Sequence, residues 1–296
     1  VNGKIVLITG ANSGIGFVTA RELARRGAEI LMVCRDPARG AAAAAAVREV
    51  AAGPPPELLI ADISSQSAVH TLADQVHRRF PHIDVLVNNA GGIFAHRELT
   101  ADGIEKTFAT NHLGPFLLTN LLLDMVVNQP GARIVNVAAE SLLSRLDFDN
   151  LQGETAYGFL SAYFRSKLEN IIFTFELARR LEGTGVTVNC MSPGPTRTRF
   201  GHDMTGLVSL FPRFIKRIFP SAETGARTLI YLASSPEVAG TSGRFFLREK
   251  ARRTKPVTHD RAVAERLWRA SADLVGLASQ GAQSSETPAI ARKGGT

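Results

Sequence analysis

Tyr163 and Lys167 stand four residues apart in "AYFRSKLE", a spacing that puts both side chains on one face of a helix. A phenol has a pKa of about 10 and is a poor base at neutral pH. An ammonium beside it, or a positively charged ring, favours the phenolate and lowers that value. Such a tyrosine can exchange a proton with an alcohol or carbonyl oxygen while a hydride moves to or from a redox cofactor. Taken alone, the pair reads more readily as two neighbours on a surface helix. Its meaning depends on what the rest of the chain positions around it.

A second set of residues supplies a partner for that chemistry. The segment "TGANSGIG" follows an apolar run and opens into a helical pattern, with loop residues Gly10, Asn12, Ser13, Gly14, Ile15 and Gly16. Glycines there let the backbone turn tightly and approach a pyrophosphate, whose charge meets the amide groups and positive dipole end of the helix. At the end of the next apolar run, where an acidic residue would bind the ribose of NAD, the chain has Cys34-Arg35. A guanidinium can bind a 2′-phosphate bidentately, so the reading favours NADP(H) over NAD(H). The other reading leaves Arg35 in solvent and gives the ribose to Asp36, which is already explained as a helix N-cap. Asp62 and Ile63 close a third run, within reach of an adenine.

These groups need a scaffold that brings strand ends together. Apolar runs "KIVLIT", "EILMVC", "ELLIAD", "IDVLVN", "RIVNVA", "GVTVNCM" and "GRFFL" alternate with helical patterns. This order predicts an α/β single domain over 1–277: a Rossmann-like doubly wound parallel sheet of about seven strands with helices on both faces. The helix from Pro37 has Asp36 as its N-cap and contains the alanine run Ala41–Ala46. Residues 198–220 break the rhythm as an insertion, and "LVSLFPRFIKRIF" there reads as a substrate lid or as a packed surface helix. A helix carrying Trp268 is predicted over about 257–277, followed by a disordered tail at 278–296.

The chain has 296 residues, 45% of them hydrophobic, and a net charge of +7. That is enough to bury a sizeable core. The basic excess lies late, without an RNA-binding signature or zinc spacing, which argues against nucleic acid and a metal. Cys34 and Cys190 sit in apolar runs and read as buried reduced thiols. No run approaches the roughly 20 apolar residues of a membrane span, so a soluble, cytoplasmic chain is expected, with an upstream anchor left open. A weak peripheral membrane contact through "LFPRFIKRIF" is a further reading.

Together the motifs "TGANSGIG", Asp62, "NNAG" at Asn88–Gly91, Asn111 in "TNHLGPF", "YFRSK" and "SPGPTRT" resemble the short-chain dehydrogenase/reductase family over nearly the whole length. Phrases such as "VCRD", "FDNLQGE" and "FELARRLEGTGVTVN" resemble its retinol dehydrogenase branch. The resemblance implies that the first motif holds the cofactor phosphates and that Asn89, Ala90 and Gly91 flank the adenosine. It gives Asn111 the role of kinking a helix and holding a relay water, and makes Tyr163 the general acid/base. Lys167 would bind the nicotinamide ribose, and Pro193, Gly194, Thr196 and Thr198 would line the nicotinamide side. It also implies a hydrophobic alcohol, aldehyde or ketone of retinoid, steroid or lipid type, and a homo-oligomer built through long helices.

One residue departs from the pattern. The family places a serine after the fifth strand to hydrogen-bond the substrate oxygen, and that position is Ala139 here. Ser141 follows two residues later and is the candidate replacement. Two functions therefore stay open: an NADP(H)-dependent oxidoreductase with reduced or reshaped catalysis, and a catalytically weakened NADP-binding scaffold or sensor.

Overall fold

A computed structural model describes residues 1–141, 143–194 and 221–277. The predicted apolar runs become seven parallel strands: β1 Ile5–Thr9, β2 Glu29–Cys34, β3 Glu57–Ile60, β4 Val85–Asn88, β5 Arg133–Val137, β6 Thr187–Ser192 and β7 Arg244–Leu247. They read as continuous apolar runs because both faces of the sheet are covered. Ile5 and Leu7 pack into one core while Val6 and Ile8 pack into the other. The first core is closed by α3 Gln66–Arg79, α5 Gly114–Leu121 and α7 Phe159–Arg180; the second by α1 Gly14–Arg25, α2 Pro37–Arg48 and α8 Ala222–Ser234. Two shorter helices, α4 Lys106–Phe108 and α6 Leu123–Val127, flank α5. Cys34 and Cys190 are buried free thiols, as expected.

The strand order is β3-β2-β1-β4-β5-β6-β7, extended by one more strand, β8 Lys250–Arg252. All seven expected strands are present, and β8 adds an antiparallel edge to them. β8 pairs antiparallel with β7 through a two-residue turn in which Arg248 and Glu249 hold φ of 52° and 62°. Both positions of such a tight hairpin need left-handed backbone. The hydroxyl of Thr228 on α8 accepts from the Glu249 amide at 3.0 Å and helps to hold that turn. All three β8 residues are exposed, so no apolar run announces the strand.

The order reverses between β1 and β4, which opens a crevice at their C-terminal ends, the usual ligand site of such sheets. The C-terminal helix, α9 Arg261–Leu274, starts later than expected, after a 3-10 turn at Pro256–His259. Asp260 caps it by accepting from the amides of Ala262 and Val263. Trp268 packs against Phe116 of α5 and Phe173 of α7, with ring centroids 5.0 and 5.8 Å away. Arg180 lies 4.0 Å over its ring. An assembly through the long helices must therefore accommodate α9 of the same chain. The insertion at 198–220, with its basic segment, and the tail at 278–296 fall outside the described residues. Among the described residues no helix is long and apolar enough to cross a membrane.

Candidate active site

The crevice at the strand-order reversal is a cleft of about 320 Å³. β1 feeds its first wall, the loop from Gly10 to Ser13, in which Gly10 takes φ of 66° and Gly14 opens α1 at 58°. At Gly16 a Cβ would run into the Asn89 side chain and the Gly10 carbonyl, so close packing of helix against strand end requires glycine. No side chain caps α1 and no acidic residue lies in its first turn. Its first amides and dipole thus suit an anion. Asn12, Ser13, Gly14 and Ile15 line this wall.

The β2 end supplies the second wall. Arg35 lines the cleft, and so does Arg39 in the first turn of α2, a residue not among the sequence candidates. Its signal was its place in the first turn of the helix that opens directly after Arg35. The Asp36 carboxylate accepts from the Arg39 amide at 2.9 Å, which ties it to the helix cap. Asp62 and Ile63 line the cleft beyond β3, and Ser64 donates to the Asp62 carboxylate from its amide and hydroxyl at 2.9 and 2.7 Å.

β4 delivers Asn88 and the loop Asn89–Gly92. The Asn88 amide spans to Thr119 and Asn136, each at 2.8 Å, and so ties β4 to β5 and α5. Asn89 donates to the Thr9 carbonyl at 2.7 Å and locks the two diverging strand ends to each other. Ala90 and Gly91 continue the cleft wall. A Cβ on Gly91 would lie 3.1 Å from Asn111 Oδ1 and 3.4 Å from Lys167 Nζ, so the bare backbone leaves a cradle at the inner end.

Asn111 sits in a π turn, Ala109–Leu113, between α4 and α5. Its amide nitrogen donates to the Gly92 carbonyl and the Ser166 hydroxyl, both at 2.9 Å, and its oxygen accepts from the Gly92 amide at 2.8 Å. Tyr163 and Lys167 share one face of α7, with Lys167 Nζ 5.6 Å from the Tyr163 ring centroid. Lys167 is buried and donates to the Val137 carbonyl at 3.3 Å. Burial governs both groups: it pushes the Tyr163 phenol up to about 12 and the Lys167 ammonium down to about 8. Desolvation disfavours the charged form of each group, and the lowering expected for the tyrosine includes the positive charge of an oxidised nicotinamide beside it. At a pKa of about 12 the phenol keeps its proton across the neutral range.

Ser141 turns elsewhere. Its hydroxyl donates to the Phe164 carbonyl at 3.0 Å and accepts from the Leu143 amide at 3.1 Å. It lines a separate cavity of about 300 Å³, with Leu168 and Phe245, that shares no residue with the cofactor cleft. Ala139 follows the buried Ala138 at the end of β5 and brings no hydroxyl. Pro193 and Gly194 follow β6, where the Gly194 amide donates to the Ser192 hydroxyl at 3.1 Å. Thr196 and Thr198 lie outside the described residues. Among the described residues no group of three or more His, Cys, Asp or Glu is placed to hold a metal.

A doubly wound sheet with an anion-ready loop at its reversal point, and a Tyr-Lys pair whose buried lysine lies behind Gly91 of the cleft wall, defines a nicotinamide-dependent oxidoreductase. The family model described as short chain dehydrogenase matches residues 4–206, and the chain belongs to that family. It is 44% identical over 294 residues to retinol dehydrogenase 14 of Homo sapiens, covering 94% of this chain and 88% of that one. This places it in the retinol dehydrogenase branch, and the chain is an NAD(P)-dependent oxidoreductase acting on CH–OH groups. A solved protein of Mycobacterium paratuberculosis superposes with a TM-score of 0.74 at 34% identity, covering 93% of this chain and 94% of its own. A Burkholderia cenocepacia short chain dehydrogenase in complex with NADP gives 0.65 at 26% identity, covering 83% and 96%.

Proposed function

We propose that the protein interconverts a hydrophobic alcohol and its aldehyde or ketone using NADP(H), with Tyr163 passing the proton. The observation that carries this reading is the convergence of Asn111, Lys167 and the Gly91 cradle at the inner end of the cleft. The bound cofactor supplies or accepts the hydride. In the reductive direction Tyr163 donates its phenolic proton to the substrate oxygen as charge develops there. Lys167, desolvated and held by the Val137 carbonyl, supports the phenolate left behind. Arg35 and Arg39 at the adenosine end, with Asp36 engaged as a cap, support NADP over NAD. The NADP complex of the Burkholderia relative is consistent with that preference.

Ala139 favours a second reading, a cofactor-binding scaffold. One donor fewer at a developing alkoxide costs about 10² to 10³ in rate by analogy with an oxyanion-hole donor. With the Ser141 hydroxyl donated to the Phe164 carbonyl, Tyr163 is the proposed donor to the substrate oxygen. Calorimetric titration with NADP and NAD, followed by NADPH oxidation against retinoid, steroid and aliphatic carbonyls, separates the two readings. Turnover above background with any apolar carbonyl supports the enzyme; tight NADP binding with none supports the scaffold.

A further inference from the structure

Behind the Tyr-Lys pair the buried polar groups form one directed chain that starts on the C-terminal helix. His112 follows Asn111 in the π turn and is fully buried. Its ring stacks on Phe108 at 5.4 Å and 14° and meets the edge of Phe173 at 6.1 Å. Both nitrogens are used: Nδ1 lies 3.3 Å from Asn170 Oδ1, and Nε2 lies 2.9 Å from the Ser271 hydroxyl of α9. The Asn170 amide nitrogen donates to the Asn111 carbonyl at 2.9 Å and to the Val137 carbonyl at 3.4 Å. Lys167 Nζ donates to the same Val137 carbonyl.

The direction of each bond follows from the chemistry of its ends. Carbonyl oxygens only accept, so Asn170 turns its NH₂ toward them and its Oδ1 toward His112. The Nδ1 of His112 must then carry the proton. On a neutral ring Nε2 is an acceptor, so the Ser271 hydroxyl donates to it. Burial enforces that neutrality and pushes the His112 pKa down to about 4. In a π turn the helical bonds shift by one residue, which leaves backbone carbonyls for side-chain donors such as Asn170.

We infer that His112 and Ser271 are positioning residues for the proton transfer: they fix the Asn170 amide, which holds the Asn111 and Val137 carbonyls and thereby the Lys167 ammonium. This rests on the proposed roles of Tyr163 and Lys167. The C-terminal helix is then a support of the active site although it adds no group to the cleft. An unheld Asn170 amide can rotate and present its oxygen to two carbonyls, which releases Lys167 from its place.

The test uses the full chain and three variants. His112→Phe keeps the ring stack and removes both hydrogen bonds. His112→Gln can still donate to Asn170 and accept from Ser271, and Ser271→Ala cuts only the link to α9. The readouts are kcat and KM with NADPH and an apolar aldehyde, the NADP dissociation constant, the melting temperature, and NMR of the imidazole and lysine nitrogens. Phe should lower kcat roughly 10- to 100-fold, with KM and NADP affinity little changed and the Lys167 resonance shifted. Gln should restore most of kcat, and Ser271→Ala should fall between. His112 should show the neutral Nδ1–H tautomer throughout the neutral range. An unshifted Lys167 resonance in the Phe variant, the Nε2–H tautomer, or kcat losses that Gln does not restore would each overturn the inference. A wild-type chain without turnover overturns the proposed function instead, and the two NMR readouts then judge the positioning alone.

Discussion

Glu169, two residues beyond Lys167, is fully buried, and among the described residues neither carboxylate oxygen has a hydrogen-bond partner. Burial pushes its pKa from 4.5 up to about 8; Arg165 opposes the shift and Glu105 adds to it. Between these two values the folded chain holds a proton that the unfolded chain has released, so stability falls as pH rises. The loss begins near the unfolded value and is complete once pH passes the folded one. At about 1.4 kcal/mol per unit, the change from pH 5 to pH 7 amounts to about 2 to 3 kcal/mol from this residue. Glu169→Met, similar in volume and without charge, should remove that contribution. Urea unfolding of both proteins at pH 5 and pH 7 isolates it, because the other titrating groups cancel in the difference. The variant should gain about 2 to 3 kcal/mol on wild type between the two pH values. A difference that stays constant within about 0.5 kcal/mol would show that Glu169 is already ionised in the fold.

Replacing Arg35 and Arg39 together by Glu should weaken NADP binding at least about tenfold while leaving NAD nearly unchanged, as measured by calorimetry; equal losses would detach the arginines from the 2′-phosphate. Ala139→Ser should raise kcat by about tenfold or more with little change in KM; an unchanged kcat would mean that the position does not face the reacting oxygen. Gly16→Val should destabilise the fold by about 1 to 3 kcal/mol in denaturant titrations, since its side chain meets Asn89 and the Gly10 carbonyl. A neutral result there would show that α1 can shift away from the strand end.

Much of this fold was legible because a parallel sheet buries both faces of its strands, and seven apolar runs stood out for that reason. The cap at Asp36, the glycine loop and the Tyr-Lys face were local patterns, readable within a few residues. β8 was not, since an exposed edge strand such as Lys250–Arg252 carries charge instead of apolar residues. Glu169 misleads for the opposite reason: a charged residue in a helix reads as exposed, and only tertiary packing buries it. The bond between His112 and Ser271 joins residues 159 apart, beyond the reach of any spacing rule. Ser141 could be named as a replacement hydroxyl from the sequence, but its aim toward Phe164 depends on how the loop meets α7.

The central claim, that Tyr163 passes a proton while hydride crosses between NADP(H) and an apolar carbonyl, is tested most directly by NADPH consumption with wild type and Tyr163→Phe. Wild type should turn over, the variant should lose about 10²-fold or more, and both should retain NADP binding. Turnover that survives the loss of the phenol would contradict it.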